Sequence, residues 1–329
     1  MRCKLTITGR SFAVRGAFTI ARGTRSRAEV VEVRLDDGQA RGRGECVPYR
    51  RYGESVEGVI ATIESLRGTL EAGLGREELA ERLPAGAARN AIDCALWDLE
   101  CKRAGRRIWE FRDLSESEPE PVTTAFTISL GTPEEMRAAA RAAAGRPLLK
   151  LKFGGAGDLE RARAVREAAP DARLIADANE SWSMNDYRAF VPALAALGVK
   201  AIEQPFPAGE DGALAELDRP IPVVADESCH DRASLAGLAG RYDMINIKLD
   251  KAGGLTEALA LKHAAREAGF GIMIGCMLGS SLAMAPALLL AGDADLVDLD
   301  GPLLLAEDRA NPLTFDGGRI LPPPAALWG

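Results

Sequence analysis

Histidine is almost missing from this chain: His230 and His263 are the only two among 329 residues. That scarcity removes most histidine-dependent acid–base schemes, a Ser-His-Asp hydrolase among them. The six cysteines, Cys3, Cys46, Cys94, Cys101, Cys229 and Cys276, are scattered. With no close pair and no histidine placed to complete a zinc site, they read as free, mostly buried thiols. No apolar run is long enough to span a bilayer; Ser281 to Ala291 is among the longest. Arg2 and Lys4 stand near the start, but no apolar signal segment follows them. Nor is there a large excess of one charge: 41 Lys and Arg face 48 Asp and Glu, a formal net of -7. Without a basic stripe, nucleic acid and anionic membrane are poor partners. The expectation is a cytoplasmic protein acting on a small molecule, with homo-oligomer formation left open.

What is present divides the chain in two. At 47% hydrophobic residues it can bury one large core or two unequal ones. Leu5 to Ile7 and Ala28 to Leu35 alternate like strands, an Asp37-Gly38 turn follows, and Arg41 to Glu45 continues as a third strand. Helical patterns then cover Val56 to Ala72 and Ala87 to Ala104. Strands followed by helices describe an α+β domain, placed at residues 1–115, with Ser115 to Pro121 as an acidic, proline-containing linker. Beyond it, strand-like runs near Val122, Leu148, Arg173, Ala201, Pro222, Met244, Gly271 and Leu296 alternate with helical patterns. Eight such runs with no convincing last helix predict an α/β fold. It is a (β/α)7β modified TIM barrel over 121–309, capped by the amino-terminal domain, with the tail 310–329 free to return to the cap.

Five of these runs end in charge: Lys152, Asp177, Glu203, Asp226 and Lys248, in that order. The carboxyl ends of parallel strands form the catalytic face of a barrel. Lys150 and Lys152 share one face of their strand, which in a barrel is the interior, where ammonium groups are costly unless paired. Asp177, Glu203 and Asp226 close three consecutive strands. Together they would repel unless a cation sits between them, and oxygen-only ligation favours one Mg2+ over zinc. Any one of them alone could be a helix cap. Lys248 lies across the barrel mouth from Lys152, so a substrate carbon between them has an amine on each face. That geometry suits removal of a proton α to a carboxylate on one side and its return on the other, with the metal stabilising the enediolate. The base lysine must then titrate well below its usual range. Lys150 is the cationic neighbour expected to help, or a contact for the substrate carboxylate.

These motifs together resemble the enolase superfamily, muconate-lactonizing subgroup, over essentially the whole chain, including Ala88-Arg89-Asn90-Ala91-Ile92-Asp93 in the first domain. The resemblance implies a capping domain on a (β/α)7β barrel, Lys-x-Lys on strand two, Asp, Glu and Asp on strands three to five, and lysine on strand six. Such sites pair a lysine or histidine base with Mg2+. Strand eight reads Asp298-Leu299-Asp300, similar to the motif with which dipeptide epimerases bind an α-ammonium. Arg22-Gly23-Thr24-Arg25-Ser26, read as part of a Phe18 to Glu29 loop, is similar to the specificity loop of L-Ala-D/L-Glu epimerases. There an arginine holds the Glu side-chain carboxylate, and Arg22 and Arg25 both remain candidates. The implied reaction is Mg2+-dependent epimerisation of an L-Ala-D/L-Glu dipeptide at the Glu α-carbon by Lys152 and Lys248, an activity of cell-wall peptide reuse.

Other readings stay in view: a dipeptide epimerase of other specificity, an N-acylamino acid racemase or an o-succinylbenzoate synthase of the same superfamily. A non-catalytic ligand-binding barrel would not need all five charged strand ends. A Schiff-base aldolase would not need three convergent carboxylates.

Overall fold

The computed structural model describes residues 3–111 and 118–329. Arg2, residues 115–117 of the expected linker and the expected domain end at 115 lie outside them.

Three antiparallel strands open the chain: β1 (Lys4–Ile20), β2 (Gly23–Asp36) and β3 (Arg41–Cys46). Pairing of β1 with β2 runs without a break from Lys4↔Asp36 to Ala13↔Arg27 and resumes at Phe18↔Arg25, so Val14 to Ala17 bulge out opposite Ser26 alone. The stretch expected as a Phe18–Glu29 loop is therefore a hairpin tip, with Arg22 in the turn and Arg25 on β2. Its Thr, Ile and Val residues extend both arms further than the short alternating runs indicate.

Four helices follow: α1 (Val56–Ser65), α2 (Arg67–Ala72), α3 (Arg76–Arg82) and α4 (Ala87–Ala104). The single expected helix from Val56 to Ala72 is thus two. The sequence pattern also missed α3, which buries a single residue, Leu79. Helix α4 lies flat on β3 because Gly42 and Gly44 have no side chain; a Cβ on Gly44 would stand 2.1 Å from the Ala91 carbonyl oxygen.

The barrel has eight parallel strands in sequential order: β5 (Phe126–Ile128), β6 (Leu148–Lys152), β7 (Arg173–Asp177), β8 (Val199–Glu203), β9 (Val223–Ala225), β10 (Met244–Ile247), β11 (Gly271–Gly275) and β12 (Leu296–Asp298). The run at Val122 is not its first strand. It forms β4 (Val122–Thr123), which pairs antiparallel with β14 (Arg319–Ile320); β14 in turn pairs with β13 (Phe315–Asp316). The seam between first and last barrel strands is bridged by Ala125 N–H to the Val297 oxygen and Leu299 N–H to Thr124 Oγ1, both at 2.8 Å.

Around the barrel run α5 (Pro133–Ala142), α6 (Asp158–Ala168), α7 (Met184–Ala196), α8 (Leu235–Leu238), α9 (Leu249–Ala252), α10 (Leu255–Glu267) and α11 (Ser281–Ala287). After β8 the expected helix is only a 3-10 turn, Asp211–Ala215. Pro205, Pro207, Gly209 and Gly212 crowd that crossover and deny it an uninterrupted helical ladder.

Inside the barrel, alternation sorts the side chains by height. Ala125, Leu148, Ile175, Ala201, Val224, Met244, Met273 and Leu296 form a buried apolar floor. Two residues further along the strands, on the same face, stand Lys150, Asp177, Glu203, Asp226, Asn246 and Asp298, all buried. The intervening residues, such as Leu149, Leu151, Ala176 and Ile202, face the helices.

The two parts are joined through α4. Arg89 donates to the carbonyls of Ala252 at 2.6 Å and Gly253 at 3.1 Å, while Asp93 accepts from Thr256 N–H at 3.0 Å. Gly253 and Gly254, at φ 82° and 117°, leave room for those two side chains. The tail lies on the same helix: Trp328 Nε1 donates to the Cys94 oxygen at 3.0 Å, and Gly329 N–H to Asp98 Oδ1 at 2.8 Å. All six cysteines are free thiols, four of them buried. Among the described residues no helix is long and apolar enough to cross a membrane.

Candidate active site

Strand register brings the charged strand ends side by side, Lys152 opposite Asp177 and Asp177 opposite Glu203. Lys152 Nζ meets Asp177 Oδ2 at 2.6 Å, and Lys248 Nζ meets Asp226 Oδ2 at 2.7 Å. Lys150, 1% exposed, is deeper: its Nζ lies 2.7 Å from Asp298 Oδ2, 2.6 Å from Glu203 Oε2 and 3.1 Å from Asp177 Oδ2. Lys150 therefore neutralises the acids from below, and the site offers it to a substrate carboxylate only if those contacts are given up. Lys152 and Lys248 both border the same two small cavities, one of about 50 Å3 with Asp226 and Glu227, the other of about 30 Å3 with Asp298 and Asp300.

Charge and burial divide the acids. Although burial opposes ionisation, Lys150 and Lys152 hold Asp177 well below the usual carboxylate range. Lys248 and Lys251 do the same for Asp226. Glu203 is raised, because burial and Asp177 outweigh Lys150. Its Oε2, close to Lys150 in distance, is not aligned for a hydrogen bond and has no other partner, while Oε1 accepts from Asn246 Nδ2 at 2.8 Å. Burial works against the charge on Lys248, yet Asp226 and Glu203 overcome it and raise its pKa. For Lys248, then, these carboxylates oppose the low titration that the sequence reading expects of a base lysine.

The oxygen donors suit a hard cation in kind: two aspartates and a glutamate, with no thiol or imidazole among them. Glu203 Oε2, ion-paired with Lys150 but without an aligned hydrogen bond, and Asn246 Oδ1, with no partner, are buried oxygens that a further cation could use. As placed, no three acids among the described residues close on one point to hold a metal ion. Each is turned towards a lysine, and a divalent ion would compete with those ammoniums for the same oxygens.

Asp298 and Asp300 border one cavity, as their spacing suggests, but they differ. Asp298 keeps Oδ1 unpaired. Asp300 lies past the strand end and accepts Thr127 N–H at 2.6 Å, helping to close the barrel seam. Burial and the neighbouring Asp298 raise it to about 7.

The two arginines are also unequal. Arg22 spans the cavity mouth, donating to Glu227 Oε1 at 2.6 Å and to Glu180 Oε2, Tyr49 Oη and the Asn179 oxygen, each at 3.0 Å. Arg25 has no carboxylate partner among the described residues; its guanidinium lies 4.8 Å from the centroid of the Tyr49 ring and borders the 50 Å3 cavity.

Several site residues escaped the sequence reading. Asn246 sits two residues before Lys248 and shares its face, so alternation could have found it. Lys251, whose Nζ reaches Asp226 Oδ1 at 2.7 Å, is brought round by the single turn of α9 and carries no local signal. Glu227 follows a strand end, where alternation stops applying.

Two family models match this chain. The mandelate racemase / muconate lactonizing enzyme N-terminal domain covers residues 2–111, and the enolase C-terminal domain-like model covers 134–326. The chain belongs to the enolase superfamily. It is similar to the L-Ala-D/L-Glu epimerase of Escherichia coli K12, with 50% identity over 305 residues, 92% of this chain and 94% of that one. It is also similar to an N-acetyl-D-glutamate racemase of Pseudoalteromonas sp., 46% identical over 302 residues, 91% and 95% of the two chains. Among solved structures it matches an enolase family member from Agrobacterium tumefaciens with homology to dipeptide epimerases, solved with sodium and L-Ala-L-Glu. That match has a TM-score of 0.97 and 53% identity, covering 99% of this chain and 100% of the other.

Proposed function

We propose that the protein is an isomerase, a Mg2+-dependent dipeptide epimerase that interconverts L-Ala-L-Glu and L-Ala-D-Glu. The observation that carries this reading is the pair Lys152 and Lys248. They rise from strands β6 and β10, border the same two cavities, and are each tethered to an acid at the barrel mouth.

Asp177, Glu203 and Asp226 are the residues to hold one Mg2+, which when bound would stabilise charge developing on the substrate carboxylate. One lysine takes the Glu α-proton and the other delivers a proton to the opposite face, inverting the centre. Asp298, through its unpaired Oδ1, and Asp300 take the Ala ammonium, a charge-assisted contact in a buried setting. Lys150 keeps Asp298 and Glu203 in place from beneath. Arg25, free of acidic partners, is the arginine for the Glu side chain, while Arg22 ties the hairpin tip to Glu227 and Glu180. The reaction would serve reuse of cell-wall peptides in the cytoplasm.

A second reading, racemisation of an N-acylated glutamate, is favoured by the similarity to the N-acetyl-D-glutamate racemase. An acylated nitrogen carries no positive charge, so two acids beside it would be a burden. The test is proton NMR of L-Ala-L-Glu in D2O with enzyme and Mg2+. Loss of the Glu α-proton signal with appearance of L-Ala-D-Glu is the expected result. No exchange, with exchange of N-acetylglutamate instead, would replace this reading by the second.

A further inference from the structure

Phe18 borders three spaces at once. Two are the small cavities already described, by Lys152 with Lys248 and by Asp298 with Asp300. The third is an outer cleft of about 490 Å3 between the β1 arm and the first barrel strand. Its apolar walls include Val14, Ala17, Phe126, Leu130, Leu303 and Leu304. Thr127 and Leu304 border both this cleft and the cavity beside Asp298 and Asp300, so with the ring removed the two spaces would run together.

The bulge in β1 puts the ring there. Val14 to Ala17 leave the ladder with β2 and lean on the barrel instead: Val14 bridges to Leu305, Ala306 N–H donates to the Ala13 oxygen at 2.8 Å, and Leu130 N–H to the Thr19 oxygen at 2.9 Å. A bulge re-aims the side chains that follow it. Here the half-buried Phe18 packs against the cluster of Val14, Ala28, Leu278 and Leu305, and its ring centroid lies 5.7 Å from Lys152 Nζ.

We propose that Phe18 limits the size of the substrate residue on the amino side of the reacting centre, confining it to alanine. The inference rests on the epimerase reading above. An ammonium held by Asp298 and Asp300 fixes the carbon that bears it, and the side chain on that carbon must lie within one bond of it. The Phe18 ring walls the small cavity there, so a side chain longer than a methyl group would run against it. The space for a larger group lies just beyond the ring, in the apolar cleft.

The experiment compares kcat/KM for L-Ala-L-Glu and L-Leu-L-Glu in the wild type, Phe18→Ala and Phe18→Leu. In Phe18→Ala the Leu-to-Ala ratio is expected to rise by about tenfold or more, the range a hydrophobic pocket can discriminate. A smaller rise is expected in Phe18→Leu, which keeps an apolar side chain and decides the matter should the alanine variant fail to fold. A ratio unchanged in both variants, with both substrates losing activity in proportion, overturns the proposal. A wild type inactive on every dipeptide would instead overturn the epimerase reading, so the two failures are told apart.

Discussion

Lys248 and Asp226 are joined at 2.7 Å, and that contact ties a candidate base to a candidate metal ligand. Asp226 has a second ammonium, Lys251, on its other oxygen, just as Asp177 has Lys150 besides Lys152. Removing Lys248 or Lys152 therefore strands no buried carboxylate, the usual source of large destabilisation. Lys152→Ala and Lys248→Ala are expected to lose about 10³-fold or more in kcat while keeping a cooperative unfolding transition, in line with the loss of a positioned acid–base group. Each should still exchange the α-proton of one epimer with D2O and not the other. NMR of both epimers with each variant checks this, and inversion at the wild-type rate would sink the two-lysine scheme.

Because ammoniums already sit on the candidate ligands, binding of Mg2+ has to displace them, and its affinity should show in stability. A ligand at a hundred times its Kd stabilises the folded state by about 2.7 kcal/mol. Thermal melts with increasing Mg2+ are expected to show a rising Tm that Asp226→Asn abolishes, with EDTA eliminating epimerisation. Full activity after exhaustive chelation would remove the metal from the proposal.

Arg25 stacks on Tyr49 without an acid, whereas Arg22 has two. Loss of a hydrogen bond to a charged group costs about 1.5–3 kcal/mol, so Arg25→Gln should lower kcat/KM for L-Ala-L-Glu by about tenfold or more. For L-Ala-L-Gln, whose side chain is neutral, the change should be small. Steady-state kinetics on the two dipeptides decides it; equal losses would move the side-chain contact to another residue.

Asp250 gives a stability signature separate from catalysis. It is buried beneath the cap, where its Oδ1 accepts Val47 N–H at 2.9 Å and Asn90 Nδ2 at 2.8 Å. Burial raises its pKa from 3.8 to about 7 against those two donors. The folded state thus keeps a proton that the unfolded chain releases, so this group's contribution to stability falls as pH rises from about 4 to about 7, by up to about 4 kcal/mol, and is level above. Asp250→Asn retains an accepting oxygen and no longer titrates. Its unfolding free energy relative to wild type should be higher at pH 8 than at pH 5; a difference independent of pH would contradict the burial argument.

The strands whose ends carry charge were legible because period-two alternation, a buried interior and a turn coincide at each of them: Lys152, Asp177, Glu203, Asp226 and Lys248 stand where the runs end. Where alternation was interrupted, the reading failed. Val122 lies in a run of β-formers that the tail hairpin claims, four residues ahead of the first barrel strand. Lys251 arrives through one helical turn, and Phe18 through a bulge that no local composition announces. The unequal states of Arg22 and Arg25 depend on Glu227, Glu180 and Tyr49, partners far away in the chain, and no spacing rule reaches them.

The hairpin tip bearing Arg22 and Arg25 belongs to the cap, while every lysine and acid assigned to the chemistry belongs to the barrel, with Arg89 and Asp93 pinning one to the other at Gly253 and Gly254. In the proposed scheme, recognition of the Glu side chain and the reaction are thus carried by separately built parts held in fixed alignment. A change of residues at the hairpin can redirect the enzyme to another substrate while the reactive centre stays in place, much as a tool changes its bit but keeps its motor.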